Sequence, residues 1–302
     1  ASTAAGVSSV TVVAIGTIVI GSALQFGNAL IGTAPTETLV VTNVAGSVVT
    51  FATPTRFAHT AGAAIAIVTA PFTHVFSLLN SGSGQPPAHT ITYHNNLAAT
   101  NLARQYPYWC CSGIDFKMTA EQLFTHDTKG TSMIGAIAGS LPVNTQSGIV
   151  SVPSWEFKVG VGGPASGGTL VSNVEDASVA LTRGLKPKFT LQGIQNPFVI
   201  ARLMLGATGK FTFMAQDESP LTQYLADTQQ ALQLVMTQGA GVNTLGITFD
   251  FQTCKYETAT IAAPDTLCYE VNFRAIRNST NAGASGGASP GKVTLVNAVP
   301  TY

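Results

Sequence analysis

Residues 245–256 read LGITFDFQTCKY, and within them Ile247, Phe249 and Phe251 alternate with Thr248, Asp250 and Gln252. A period of two places the three apolar side chains on one face and the polar ones on the other, as in a strand with one buried face. The signal recurs on both sides of this stretch. Residues 268–276 follow it, residues 176–182 and 210–215 precede it, and residues 155–161 alternate Trp, Phe and Val with Glu, Lys and Gly. Residues 231–237 fit either a strand or the extension of a helix. One helix start is legible, with Ser219 as cap, Pro220 at the first position, and Leu221, Tyr224 and Leu225 spaced to pack one face on a sheet. The expected class is all-β with one short helix.

Before this region, β-branched runs at residues 10–20, 38–42, 48–52 and 64–68 are separated by Gly, Asn, Ser and Pro. They predict a small β-roll or barrel, with residues 43–47 closing its clearest hairpin. The apolar stretch 10–26 is broken by Gly16, Thr17, Gly21 and Ser22 and has no basic residue before it. It falls short of the ~20 apolar residues of a membrane-spanning helix and predicts a buried strand pair instead. Residues 77–85 supply Ser, Gly and Asn, and Pro86 and Pro87 stiffen the end of a linker. Strands are then expected at residues 90–93, 113–118 and 122–125. The expected organisation is a small β domain over 1–76, a linker and first strand over 77–107, a β-sandwich over 108–278, and a C-terminal arm over 279–302.

Charge is scarce: Asp, Glu, Lys and Arg make up 9% of the 302 residues, and the formal net charge is zero. Such a surface lacks the repulsion that keeps copies apart, so composition favours association. Before Cys110 the acidic residue is Glu37 and the basic residues are Arg56 and Arg104. No Lys/Arg cluster of the kind that displaces counterions from phosphate is present, which argues against sequence-specific nucleic-acid binding.

Enzyme motifs fail on context. GASGG at residues 283–287 matches GxSxG around Ser285, but lies in a Gly/Ser-rich tail instead of a strand-to-helix turn. Gly163 and Gly168 have P-loop spacing, yet Thr169 stands where Lys is required. His59, His74, His89, His94 and His126 form no close metal-ligating pair. Cys110, Cys111, Cys254 and Cys268 contain no CxxC and read as buried thiols, although Cys254 and Cys268 are spaced to meet across a hairpin. Asn278, Ser279 and Thr280 spell a glycosylation sequon, meaningful only in a eukaryotic secretory route. No catalytic, cofactor or metal site is expected.

Two resemblances stand beside this reading. TPTRFAHTAGAAI at residues 53–65, after an apolar hairpin, resembles a short β module of phage virion and bacterial surface proteins, which implies decoration or attachment. Further on come a strand from Trp155, a Gly-rich turn, VEDASVALTRGLKP at 174–187, a long excursion over 183–198, ATGKFTF at 207–213, a helix and further strands. That succession, over residues 110–302, resembles the major tail tube protein of long-tailed, siphovirus-type bacteriophages. The resemblance implies a tail-tube β-sandwich with a flanking helix, self-assembling into stacked hexameric rings that conduct DNA to the host. It implies a virion protein assembled in the host cytoplasm, whose partners are its own copies, the tape measure and terminator proteins, and double-stranded DNA in transient passage. A surface-binding or capsid-decorating β protein is the alternative.

The expected contact residues follow from the excursion and the arm. At 16 residues, the excursion 183–198 exceeds the ~4 to 6 typical of a connection, and Arg183, Lys186, Lys188, Asn196 and Phe198 are candidate inter-subunit contacts. The Gly/Ala/Ser-rich segment 279–289 precedes a strand-like 292–296, so Lys292 and Val293 are candidates either for docking on another subunit or for an intramolecular last strand. Glu175 and Asp176 point apart on a strand, a poor acid/base pair, and are candidates for lining a channel. A conduit must not hold DNA, so its lumen is expected to be neutral or acidic, with Lys and Arg paired or facing outward.

Overall fold

The computed structural model describes residues 4–13, 15–26, 37–55, 57–59, 62–63, 65–78, 88–95, 102–137, 151–191, 193, 195–262, 266–279 and 288–300. The Ser285 motif, most of the linker and most of the Gly/Ser-rich tail lie outside the described residues. The protein is nearly all β, with one short helix among the described residues. Among these residues no helix is long and apolar enough to cross a membrane.

A first sheet comprises β1 (Ser9–Thr11), β2 (Ala23–Phe26), β3 (Glu37–Ala45), β4 (Val48–Phe51) and β5 (Ile65–Val68), in the order β1-β4-β3-β2-β5. The expected hairpin forms between β3 and β4, tightened to a two-residue turn in which Gly46 takes φ +58°, a conformation that costs glycine little. The run 10–20 is strand only at its start; β1 and β2 are separated by turns and pair with β4 and β3, not with each other. Leu24, Phe26, Leu39, Val41, Val49 and Phe51 form this sheet's own core. Beside it His59 Nε2 lies 2.6 Å from the buried Glu37 carboxylate.

The remaining strands join one hydrogen-bonded network. They are β6 (Phe72–Ser77), β7 (His89–Asn95), β8 (Leu102–Thr119), β9 (Thr125–Thr131), β10 (Ala136–Ile137), β11 (Phe157–Val161), β12 (Leu170–Val171), β13 (Val174–Lys188) and β14 (Val199–Met214). After helix α1 (Ser219–Leu225) come β15 (Gln230–Gln238), β16 (Leu245–Ala262), β17 (Cys268–Ala275) and β18 (Lys292–Asn297). Residues 231–237 are therefore strand, not helix.

β16 is the hinge of the architecture. Its first half pairs with β15 and β18, and from Cys254 onward it pairs with β17. One layer thus runs β9-β8-β13-β14-β17-β16 and the other β6-β18-β16-β15-β11-β12. The alternation in residues 245–256 explains the closure, because Phe249 and Phe251 carry no solvent exposure and meet aromatics of the facing layer. Phe249 packs on Phe116 of β8 at 4.8 Å between ring centroids, and Phe251 on Phe273 of β17 at 5.9 Å. Val179, Phe211, Leu232, Leu234 and Val271 complete a single core.

Several expectations need correction. β6 belongs to the large sheet, so the first module ends at Val68 and not at residue 76. β8 begins at Leu102, passing through Pro107 and a left-handed Tyr108 (φ 55°) that disguise it as loop. Residues 120–122 form a turn, residues 122–124 make only a single bridge, Leu123 to Pro153, and the strand after them is the polar β9. The helix starts one residue early, with Glu218 at the cap position and Asp217 Oδ1 accepting the Ser219 amide at 2.8 Å. Leu221 and Tyr224 pack on the core as expected, but Leu225 is 74% exposed. Asp250, expected outward in solvent, is buried beneath β18, where Lys292 Nζ reaches its Oδ2 at 3.3 Å.

Candidate functional site

Residues 183–198 are less a loop than the continuation of two strands. β13 and β14 stay paired from Val174↔Phe213 to Lys188↔Val199, and at about 3.4 Å per residue the ladder spans roughly 45 Å. Over Asp176–Thr182, β13 is flanked by β8, and over Thr208–Met214, β14 is flanked by β17. Beyond those points the two strands pair only with each other among the described strands. The outer half of this hairpin is steadied by side chains: Asn196 Oδ1 accepts the Ile134 amide at 3.0 Å, and Arg202 Nη2 donates to Cys110 Sγ at 3.5 Å.

Its surface is apolar and cationic together. Phe189, Leu191, Phe198, Leu203 and Met204 are all more than half exposed. Lys186 and Lys188 are exposed, and between Asp176 and Asp217 the chain has no carboxylate side chain. Arg183 is different: it is 4% exposed, and burial together with the nearby Arg202 charge lowers its pKa. Of the five residues singled out in the excursion, Lys186, Lys188 and Phe198 are thus surface groups, Asn196 is half-buried, and Arg183 is internal. Four of these exposed apolar residues, Phe189, Leu191, Leu203 and Met204, escaped sequence reading, because exposure of an apolar side chain leaves no periodic signal.

The C-terminal strand resolves the other candidates. β18 pairs with β16 on one side and β6 on the other, so Lys292 and Val293 sit within an intramolecular last strand. Val293 is half-buried against the core and Lys292 covers Asp250. Neither has a free backbone edge to offer a neighbour.

The outward face of the first layer carries a balanced array of charge. Ala177, Val179 and Leu181 point into the core, leaving Asp176, Ser178, Ala180 and Thr182 on the other face. Across the register lie Asp115, Lys117, Lys210, Glu270 and Arg274. Among the described residues, five cations of this face have a carboxylate partner: Lys117 to Asp127 at 3.0 Å, Lys129 to Asp115 at 2.7 Å, Lys210 to Glu270 at 2.8 Å, Lys255 to Asp227 at 2.8 Å, and Arg274 to Glu257 at 2.5 Å. The Lys117 ammonium holds the Asp127 carboxyl below its usual range, and Asp115 raises the Lys129 pKa. Asp176 belongs to this face, whereas Glu175 occupies a bulge and accepts a weak hydrogen bond from Cys268 Sγ at 3.6 Å.

The glycines of the P-loop-like spacing and the cysteines have structural roles. Gly162 turns the chain at φ +81° and a 3-10 turn, not a helix, follows at Gly167–Thr169; Thr169 Oγ1 donates to the Pro164 carbonyl at 2.6 Å. Cys254 and Cys268 sit at opposite ends of the β16/β17 hairpin, opposite Ala275 and Ala262, so they do not meet. All four cysteines are free, and burial pushes the Cys254 thiol far up. Among the described residues no group of three or more His, Cys, Asp or Glu is placed to hold a metal ion. One surface depression is lined by Glu218, Ser219, Thr222 and Gln223, and a second, apolar one by Phe124, Val152, Met236, Ile247 and Leu295. Neither lining contains His, Cys or Lys. The chain matches no protein-family model and no curated protein.

Proposed function

We propose that this protein is a structural subunit of a long-tailed phage tail tube, assembling with its own copies into stacked hexameric rings around a DNA channel. The observation that carries the reading is the β13/β14 hairpin, which continues past the sandwich and presents large apolar side chains to solvent. Phe198 and Met204 are each about two-thirds exposed, a costly arrangement for a solitary chain, at ~25 cal/mol per Å² of apolar surface, unless a partner covers them.

The outward face of the first layer suits the wall of a conduit. Where β13 and β14 are flanked by β8 and β17, five cations are each engaged by a carboxylate, so DNA phosphates meet no row of unopposed positive charge there. The first sheet, with its separate core, fits a module decorating the outside of the tube. The tape measure and terminator proteins are the further partners this role requires, with the virion tail as its location.

Sedimentation velocity tests the reading. The wild-type chain should form large assemblies at tens of micromolar, about tenfold above the micromolar affinities of weak interfaces. Replacing Phe189 and Phe198 together by Ser should leave a folded monomer or single ring. A wild-type chain that stays monomeric would remove the reading, and only then does a monomeric surface-binding or capsid-decorating protein become the better account.

A further inference from the structure

The structure assigns a mate to the hairpin: we infer that its cationic tip docks on the acidic opposite end of the sandwich of a second copy, making a head-to-tail stack. This deepens the proposed function and rests on it. Antiparallel pairing places the hairpin turn at one end of β13 and β14 and the junctions Asn173–Val174 and Met214–Ala215 at the other, about 45 Å away at ~3.4 Å per residue.

The two ends are chemically opposite. At the hairpin end lie Lys186 and Lys188, with Arg104 of β8 exposed toward the same region, and neither residues 183–205 nor β7 and residues 102–114 of β8 contain Asp or Glu. At the other end the chain turns through residues 119–124, 173–176, 214–228 and 266–270, none of which contains Lys or Arg, although Lys255 and Lys210 of adjoining strands pair with Asp227 and Glu270. Those turns are neighbours in space: the Ala120 amide bonds the Glu175 carbonyl, Asn173 Nδ2 the Met214 carbonyl, and the Ala215 amide the Leu267 carbonyl. They carry Glu121, Asp217 and Glu218 exposed and Glu175 and Asp176 half-buried. The Ser219 amide holds the Asp217 carboxyl below its usual range, so that charge persists in mild acid.

Apolar surface is matched as well. Leu123 and Leu267 are exposed at the acidic end, as Phe189, Leu191 and Phe198 are at the basic one. Unlike patches at opposite ends give a heterologous contact, which does not close on itself and propagates into an open stack. Opposed charge sets the polarity, since two like ends repel.

Charge exchange tests this pairing. The variant K186E/K188E and the variant D217K/E218K change only exposed residues, and each should raise the concentration needed for assembly about tenfold or more at low salt. The quadruple variant, with both ends reversed, should assemble again. An equimolar mixture of the two double variants should co-assemble in alternation, because the tip of each meets opposite charge on the other's far end. Wild type that assembles while neither double variant is impaired, or a quadruple variant no better than the doubles, would overturn the pairing and leave the proposed function standing. Wild type that never assembles would overturn both.

Discussion

Gly209 sits in the middle of β14, between Val179 of β13 and Phe273 of β17, and its replacement by Ala tests the account of the core. A Cβ added there would overlap the Ser178 carbonyl oxygen and stand 2.5 Å from two carbons of the Phe273 ring. Ordinary carbon contacts are at ~3.5 to 4.0 Å, so the ring alone must retreat by about 1 Å. Phe273 has nowhere to go: it is fully buried, stacked on Phe211 at 5.1 Å between centroids and against Phe251 at 5.9 Å. The carbonyl belongs to a central strand held on both sides and yields only by disturbing the β13/β14 ladder. Overpacking of this kind costs about 1–3 kcal/mol, and with backbone involved the upper value applies. For a sandwich of this size, ~2–4 °C is lost per kcal/mol, so the melting temperature should fall by about 6–12 °C. Differential scanning calorimetry of wild type, G209A and G209A/F273L separates the two obstacles. The leucine should restore only part of the loss, because the Ser178 carbonyl remains. A G209A chain melting within about 1 °C of wild type would refute the packing described for β13, β14 and β17.

Other expectations follow from single residues. Phe251→Ala removes a fully buried ring from between the layers and should cost ~3–5 kcal/mol in urea unfolding. Asp127, held low by Lys117, should titrate by NMR below 3.8. Its pairing favours the folded state above the unfolded pKa and is lost as pH falls through the lowered folded value, and Lys117→Met should return the midpoint toward 3.8. Native thiol labelling near pH 8 should modify Cys254 far more slowly than the half-buried Cys111, because burial raises the Cys254 pKa the more and also blocks access. Deleting residues 1–68 should leave the large sheet intact and assembly competent, whereas deletion through Ser77 also strips β6 from β18 and exposes a new sheet edge, visible as aggregation.

Local periodicity made the strands legible and left their joins hidden. The alternation around Phe249 and Phe251 announces a half-buried strand, yet nothing in it shows that the strand changes partners at Cys254 to serve both layers. β6 was read into the first module because its mate β18 lies more than 200 residues away, and such pairing writes no local pattern. β9 reads THDTKGT, six exposed residues in seven, and is held to β8 by backbone pairing and ion pairs without any apolar face to betray it. Asp250 looked like a solvent residue because its cover, Lys292, comes from the far end of the chain. Among the candidate contacts, Lys186, Lys188 and Phe198 were found through the unusual length of the excursion. The hairpin's regular pairing was masked by Pro187 and Gly184, and Arg183 followed the inward parity of Leu181 into the interior.

The central claim is that this chain builds a tube from its own copies. Electron microscopy of the concentrated, purified protein tests it most directly: hollow tubes, or six-fold rings with a central hole, are the predicted result. Particles that remain single compact monomers at every concentration would contradict it.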